Sequence, residues 1–350
     1  MLGSMRVAVV IAIAVAVLTG CGGADPTDPG GLSPDTAKIA ITDMTSQARY
    51  LGFEGGLYPG GNAIPAAHLA AGLARTKAIR PLDGNGNPSP SGRYVLISIG
   101  MSNTTQEFCS GASTAPCVSW SFMEQAAADS AVNRSTLVIV NGARGGQTAS
   151  AWVSATSPEY DRIRDSWLAP SGLTERQVQI AWVKVANANP NTSLPSSSSD
   201  AFTLVSKMAT IARTLRQRYP NLQQIFFSSR IYAGYATTSL NPEPYAYESG
   251  LAVKWVVQAQ IDQIQQGRVI DTQAGDLDYS TVAPWVAWGP YLWTRGMTPR
   301  SDGLVWTTAD VSSDGTHPSQ SGQQKVAGML LDFFKTSPVT RCWFLASGIC

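Results

Sequence analysis

Four short apolar runs punctuate the chain, each ending where the backbone must turn. Tyr94-Val95-Leu96-Ile97-Ser98-Ile99 stops at Gly100, and Leu137-Val138-Ile139-Val140 stops at Asn141-Gly142. Ile180-Ala181-Trp182-Val183 and Gln224-Ile225-Phe226-Phe227 follow the same pattern. The runs are nearly continuous rather than alternating, so they predict strands covered on both faces, as in a parallel sheet. Elsewhere the period lengthens. Residues 201–218 place Phe202, Val205, Met208, Ile211 and Leu215 at helical spacing, with Pro220 beyond the end. Residues 247–266 repeat this with Val253, Val256, Val257, Ile261 and Ile264, and residues 323–334 predict a last helix. Strands alternating with helices predict a doubly wound α/β fold. Such sheets bind ligands beyond the carboxyl ends of their strands, so the loops that follow the strands are where chemistry is expected.

The N-terminus follows a different logic. Arg6 precedes an apolar run over residues 7–18, too short for the roughly 20 residues of a membrane span but suited to the core of a signal peptide. Leu18-Thr19-Gly20-Cys21 resembles the lipobox of bacterial lipoproteins, which implies cleavage before Cys21 and lipidation of its sulfur. Residues 22–36 are Gly, Pro and Asp with little apolar surface, and read as a flexible tether. The expected organisation is a signal peptide over 1–20, a tether over 21–36 and one domain over 37–350. The expected location is the bacterial cell envelope, outside the cytoplasm and anchored to the membrane by lipid.

Cysteine and charge narrow the picture further. Five Cys is an awkward number for an exported protein; setting Cys21 aside leaves Cys109, Cys117, Cys342 and Cys350. Three pairings are possible, and the local one, Cys109–Cys117 with Cys342–Cys350, is preferred. Metal binding at these Cys is disfavoured, because no His lies near either pair and C-x₂-C spacing is absent. The chain has 25 Lys and Arg against 24 Asp and Glu, and Arg6 belongs to the signal segment. No basic field for nucleic acid results, and a neutral substrate suits the composition better.

The chemistry concentrates at few positions. Gly100-Met101-Ser102 follows the first strand and places a hydroxyl at the strand-end edge. A Ser nucleophile needs an imidazole held by a carboxylate. Only two His are present. His68 lies in a helical stretch and reads as a surface or packing residue. His317, in Asp314-Gly315-Thr316-His317-Pro318, has a carboxylate three residues upstream that can fold back onto Nδ1 and leave Nε2 for Ser102.

The ordered set of Gly-x-Ser, a Gly-rich loop, an Asn after a strand and Asp-x-x-His before the last helix resembles the SGNH/GDSL hydrolases, over about residues 94–334. The resemblance implies a three-layer, flavodoxin-like α/β/α fold and an ester hydrolase that needs no metal or organic cofactor. It assigns Ser102 as nucleophile, with Gly-Met-Ser standing where the family has Gly-Asp-Ser. The block Asn141-Gly142-Ala143-Arg144-Gly145-Gly146-Gln147-Thr148 places an oxyanion N–H on Gly146, with Gly145 the alternative. Within Lys184-Val185-Ala186-Asn187-Ala188-Asn189, strand alignment selects Asn187 as the side-chain oxyanion donor, with Asn189 the alternative.

Substrate contacts are expected from Arg144 and Gln147 in the second block, and from Arg230 and Tyr232 after the fourth strand. The segment Pro284-Trp285-Val286-Ala287-Trp288-Gly289-Pro290-Tyr291-Leu292-Trp293, with Trp306 beyond it, is rich in aromatic residues. Flat rings stack on sugars, although most Trp are core residues. The first expectation is therefore an esterase acting on an acylated carbohydrate, of the deacetylase type. A lipase or lysophospholipase on the same scaffold is the alternative, and a binding lipoprotein without catalysis is the reading from a different class.

Overall fold

The computed structural model describes residues 38–110 and 116–348. The signal segment, Cys21, the tether and Cys350 lie outside the described residues. Five strands form one parallel sheet: β1 (Tyr94–Gly100), β2 (Leu137–Asn141), β3 (Val178–Lys184), β4 (Gln224–Phe227) and β5 (Trp285–Trp288). Their spatial order is 2-1-3-4-5, the flavodoxin-like arrangement in which the chain reverses direction beside β1. The first four match the apolar runs. The fifth, Trp-Val-Ala-Trp, comes from the aromatic segment, where its rings are core rather than platform.

Helices cover both faces, as near-continuous burial of the strands requires. They are α1 (Ala66–Ala78), α2 (Ser102–Phe108), α3 (Phe122–Ala128), α4 (Pro158–Ile163), α5 (Asp200–Arg218), α6 (Tyr245–Gln266) and α7 (Gln320–Thr336). Strand alternation divides the core in two. Val95, Ile97, Ala181, Val183, Ile225 and Val286 pack against Val205, Met208, Ile211 and Val256 of α5 and α6. Leu96, Ile180, Trp182 and Phe226 point the other way, onto Phe108, Phe122, Leu330 and Phe334 of α2, α3 and α7. Each buried Val, Leu, Ile, Met or Phe among them contributes roughly 1.5–3 kcal/mol when removed from water. The result is a rigid platform whose strand ends carry the loops of interest. Among the described residues, no helix is long and apolar enough to cross a membrane.

The Cys109–Cys117 disulfide is formed at the C-terminal end of α2, with Cα atoms 4.5 Å apart. Cys342 is disulfide-bonded as well. The expected partner, Cys350, lies outside the described residues.

Candidate active site

The turn from β1 into α2 positions Ser102. Gly100 has φ +157°, and a Cβ there would collide with the Lys184 carbonyl and Thr104 Oγ1. Glycine is therefore required for so close an approach of strand and helix. Met101 is extended, and Ser102 is the first residue of α2. Two bonds pin the turn: Met101 N–H donates to Thr104 Oγ1 at 3.2 Å, and Thr104 Oγ1 donates to Lys184 O at 2.7 Å.

The Asp314–His317 segment folds back on itself as its spacing predicts. Asp314 Oδ1 accepts the Thr316 and His317 N–H groups at 2.9 and 3.0 Å. Asp314 Oδ2 lies 2.5 Å from His317 Nδ1, and His317 Nε2 lies 2.7 Å from Ser102 Oγ. A carboxylate on Nδ1 fixes the neutral ring with its proton there, so Nε2 presents a lone pair to the serine hydroxyl. Burial raises the Asp314 pKa, but the His317 ring and the two N–H groups outweigh it and hold the carboxyl below its usual value. Gly315, at φ +64°, lets the turn press against the Tyr235 carbonyl. Thr237 N–H donates to Asp314 O at 3.0 Å, and the Thr238 and Thr316 hydroxyls bond at 3.0 Å. Asn103 Nδ2, beside the serine, donates to Thr316 O at 3.0 Å. His68 takes no part: it is buried in α1, stacked on Trp285, and its Nε2 bonds Val286 O at 2.9 Å.

Of the oxyanion candidates, the structure places Gly145, the alternative to Gly146, near the serine. An added Cβ on Gly145 would have Ser102 Cβ as its nearest neighbour, at 3.9 Å. Gly146 follows at φ +78°, and both glycines are exposed. Neither glycine's N–H donates to another described group. Asn187 is a correction. Its Nδ2 donates to Asp200 O and Asp200 Oδ1 at 2.8 and 3.3 Å, and its Oδ1 accepts Lys207 Nζ at 2.8 Å. The amide is committed to tying the loop onto α5, which leaves no N–H for an oxyanion. Asn189, the alternative, is exposed at φ 44° and accepts Ser239 Oγ at 3.0 Å through Oδ1. Ser239 follows Thr238, which bonds the histidine turn, so Asn189 sits on the same loop cluster.

The expected substrate contacts divide. Arg144 is half-exposed and paired with Glu159 at 3.1 Å. Its backbone N–H reaches Gly100 O at 3.1 Å, which fixes it beside the Ser102 turn. Gln147 is half-buried in the same loop. Tyr232 is half-buried between Tyr235 and Trp293, with ring centroids 5.2 and 6.0 Å away. Arg230 is a correction: at 1% exposure it lies under the surface and cannot touch a substrate from there. Trp285, Trp293 and Trp306 are fully buried, so the sugar-platform expectation fails for them.

Sequence reasoning missed Asn103 and a buried ion pair. Lys184 and Glu107 are both at 0% side-chain exposure, and Lys184 Nζ meets both Glu107 oxygens at 2.5 Å. The Lys that directly follows the apolar run Ile180–Val183 was the available signal. Among the described residues, no cluster of three or more His, Cys, Asp or Glu could hold a metal.

No protein-family model matches the chain, and no curated protein matches it. Solved structures do. Salicylyl-acyltransferase SsfX3 from a tetracycline biosynthetic pathway is 17% identical, over 72% of this chain and 58% of its own, with a TM-score of 0.35. A carbohydrate esterase family 2 enzyme with its carbohydrate-binding domain, from Corynascus thermopiles (Myceliophthora fergusii), is 13% identical, over 69% of this chain and 67% of its own, with a TM-score of 0.35. A GDSL-like lipase from Bacteroides thetaiotaomicron is 10% identical, over 74% and 92%, with a TM-score of 0.34. The chain thus spans little more than half the length of the acyltransferase.

Proposed function

We propose that this protein is a serine ester hydrolase of the SGNH/GDSL type, with Ser102 as nucleophile, His317 as general base and acid, and Asp314 as its orienting carboxylate. One observation carries the reading: the continuous contact of Asp314 Oδ2, His317 Nδ1 and Nε2, and Ser102 Oγ at 2.5 and 2.7 Å. The spacing is within the reach that proton transfer requires. Ser102 Oγ attacks the ester carbonyl while Nε2 takes its proton. The negative tetrahedral state is met by the Ser102 N–H at the start of α2 and by the Gly145–Gly146 backbone, each donor contributing about 3 kcal/mol to lowering the barrier. His317 then protonates the leaving alcohol, and water repeats the steps to release the acid.

The substrate is read as a short-chain acyl ester of a carbohydrate. Exposed polar side chains support this: Arg144, Asn189 and Ser239 lie on the loops tied to the Ser102 and His317 turns. A long acyl chain would call for an apolar channel. Export to the bacterial cell envelope with a lipid anchor at Cys21 completes the proposal, on the strength of the N-terminal sequence. The test compares p-nitrophenyl acetate with p-nitrophenyl octanoate. Preferred turnover of acetate, lost in S102A, is expected; turnover surviving in S102A contradicts the mechanism, and octanoate preference contradicts the substrate class.

A further inference from the structure

Buried at the strand ends is a group of charges that this mechanism does not use. Glu107 is on the same helix as Ser102, Lys184 ends β3 opposite Gly100, and Arg230 follows β4. All three are buried. Glu107 and Lys184 satisfy one another. Arg230 does not share in this: its Nε and Nη2, the edge that takes a carboxylate side-on, meet no acceptor.

The carboxylates whose charge reaches Arg230 are Glu107, Glu243 and Asp314, and Lys184 is the neighbouring cation. Each carboxylate is bonded elsewhere. Glu243 accepts Trp293 Nε1 at 2.7 Å, Ala233 N–H at 3.2 Å and Tyr247 N–H at 3.3 Å. Asp314 is held by its own turn. A buried guanidinium without a bonded counter-ion is costly, and an apolar side chain would fill the position at lower cost. Its place in the fold supplies a reason. The segment it opens runs through Tyr235 and Thr237, which carry the Asp314 turn, while Lys184 on the adjoining strand touches the Ser102 turn through Thr104.

We propose that Arg230 acts as a buried positive charge that stabilises the negative tetrahedral adduct on Ser102. The inference rests on the serine-esterase reading. The ester is neutral before attack and negative after it, and a fixed, buried charge favours the second state over the first. Arg230 is thus an electrostatic residue that does not touch the substrate.

The experiment uses the full chain as wild type, R230M, R230K and S102A, and reads two quantities. One is kcat and KM on p-nitrophenyl acetate; the other is affinity for phenylboronic acid, which becomes an anionic tetrahedral adduct on a serine oxygen. R230M is expected to lose roughly 10- to 100-fold in kcat and to weaken the boronate by a similar factor, with KM within about threefold. R230K, which keeps the charge, is expected to recover most of both. Equal losses in R230M and R230K, or a boronate affinity in R230M equal to wild type, overturn the inference. R230Q replaces R230M if the latter fails to fold, with the same expectation. An inert wild type that binds no boronate overturns the serine reading and this inference together. An active wild type, an inactive S102A and an unaffected R230M overturn only the role of Arg230.

Discussion

Asn103 Nδ2 donates to the Thr316 carbonyl at 3.0 Å, so the residue after the candidate nucleophile also holds the peptide that enters His317. Helix and turn are 213 residues apart in sequence, and this buried bond is a direct tie between them. Asn103→Ala should let the histidine turn shift against the serine. The expected result is a fall in kcat of roughly 10- to 100-fold with little change in KM. Stability should fall by only about 1–2 kcal/mol, for one lost bond and an unpaired carbonyl. Steady-state kinetics and urea unfolding on one preparation check both, and an unchanged kcat counts against the tie.

Gly100 and Gly145, on either side of the Ser102 turn, should respond in different ways. Gly100→Ala forces a methyl into the Lys184 carbonyl and Thr104 Oγ1, and should destabilise the fold by about 3 kcal/mol or more. Gly145→Ala has ordinary van der Waals room, with Ser102 Cβ at 3.9 Å, and should fold with wild-type stability. Its methyl would stand on the side facing the serine, so its turnover should fall instead. Thermal melts together with acetate-ester rates separate the two effects, and equal melting temperatures for the two variants contradict the packing argument.

The Lys184–Glu107 pair gives a stability prediction with a built-in control. Glu107→Leu or Lys184→Met alone leaves one charge buried and unpaired, and should cost about 3–5 kcal/mol. The double variant removes both charges and should return to within about 1 kcal/mol of wild type or exceed it. Equilibrium unfolding of the three variants decides; additive losses in the double variant contradict the pairing.

What the sequence made legible was periodic or local. The β4 run was read to its ends as Gln224–Phe227, and α5 differs by one residue from the helix expected over 201–218. The Asp314–His317 turn was legible because its carboxylate and imidazole are close along the chain, and the scarcity of His left one plausible base. Features depending on side-chain direction across distant segments were not legible. Asn187 and Asn189 are both loop asparagines after a strand, and only the position of Asp200 and Lys207 shows that the first is committed. Arg230 sits where strand-end reasoning expects a substrate contact, yet its side chain is buried. The aromatic segment was ambiguous because Trp has the same sequence signal in a core strand as on a sugar platform.

His68 predicts a pH dependence of stability. Burial pushes its pKa down to about 4, opposed by the bond to Val286, against 6.5 for an unperturbed His. Below about pH 6.5 the unfolded chain takes up a proton that the native ring resists. The contribution is therefore full above pH 6.5 and is lost as pH falls toward 4, for a total of about 3 kcal/mol. Glu248, whose pKa burial pushes up to about 7, works in the opposite direction, so the wild-type slope alone does not isolate His68. The difference in urea stability between wild type and His68→Gln, measured at pH 7 and pH 5, does. That difference should shrink at the lower pH; a constant difference contradicts a neutral buried ring.

The most direct test of the central claim is covalent labelling of the full chain with a fluorophosphonate, followed by peptide mass spectrometry. The account predicts one adduct, on Ser102, with none in S102A and labelling at least about 100-fold slower in H317A. Labelling on another residue, or at the wild-type rate in H317A, contradicts it.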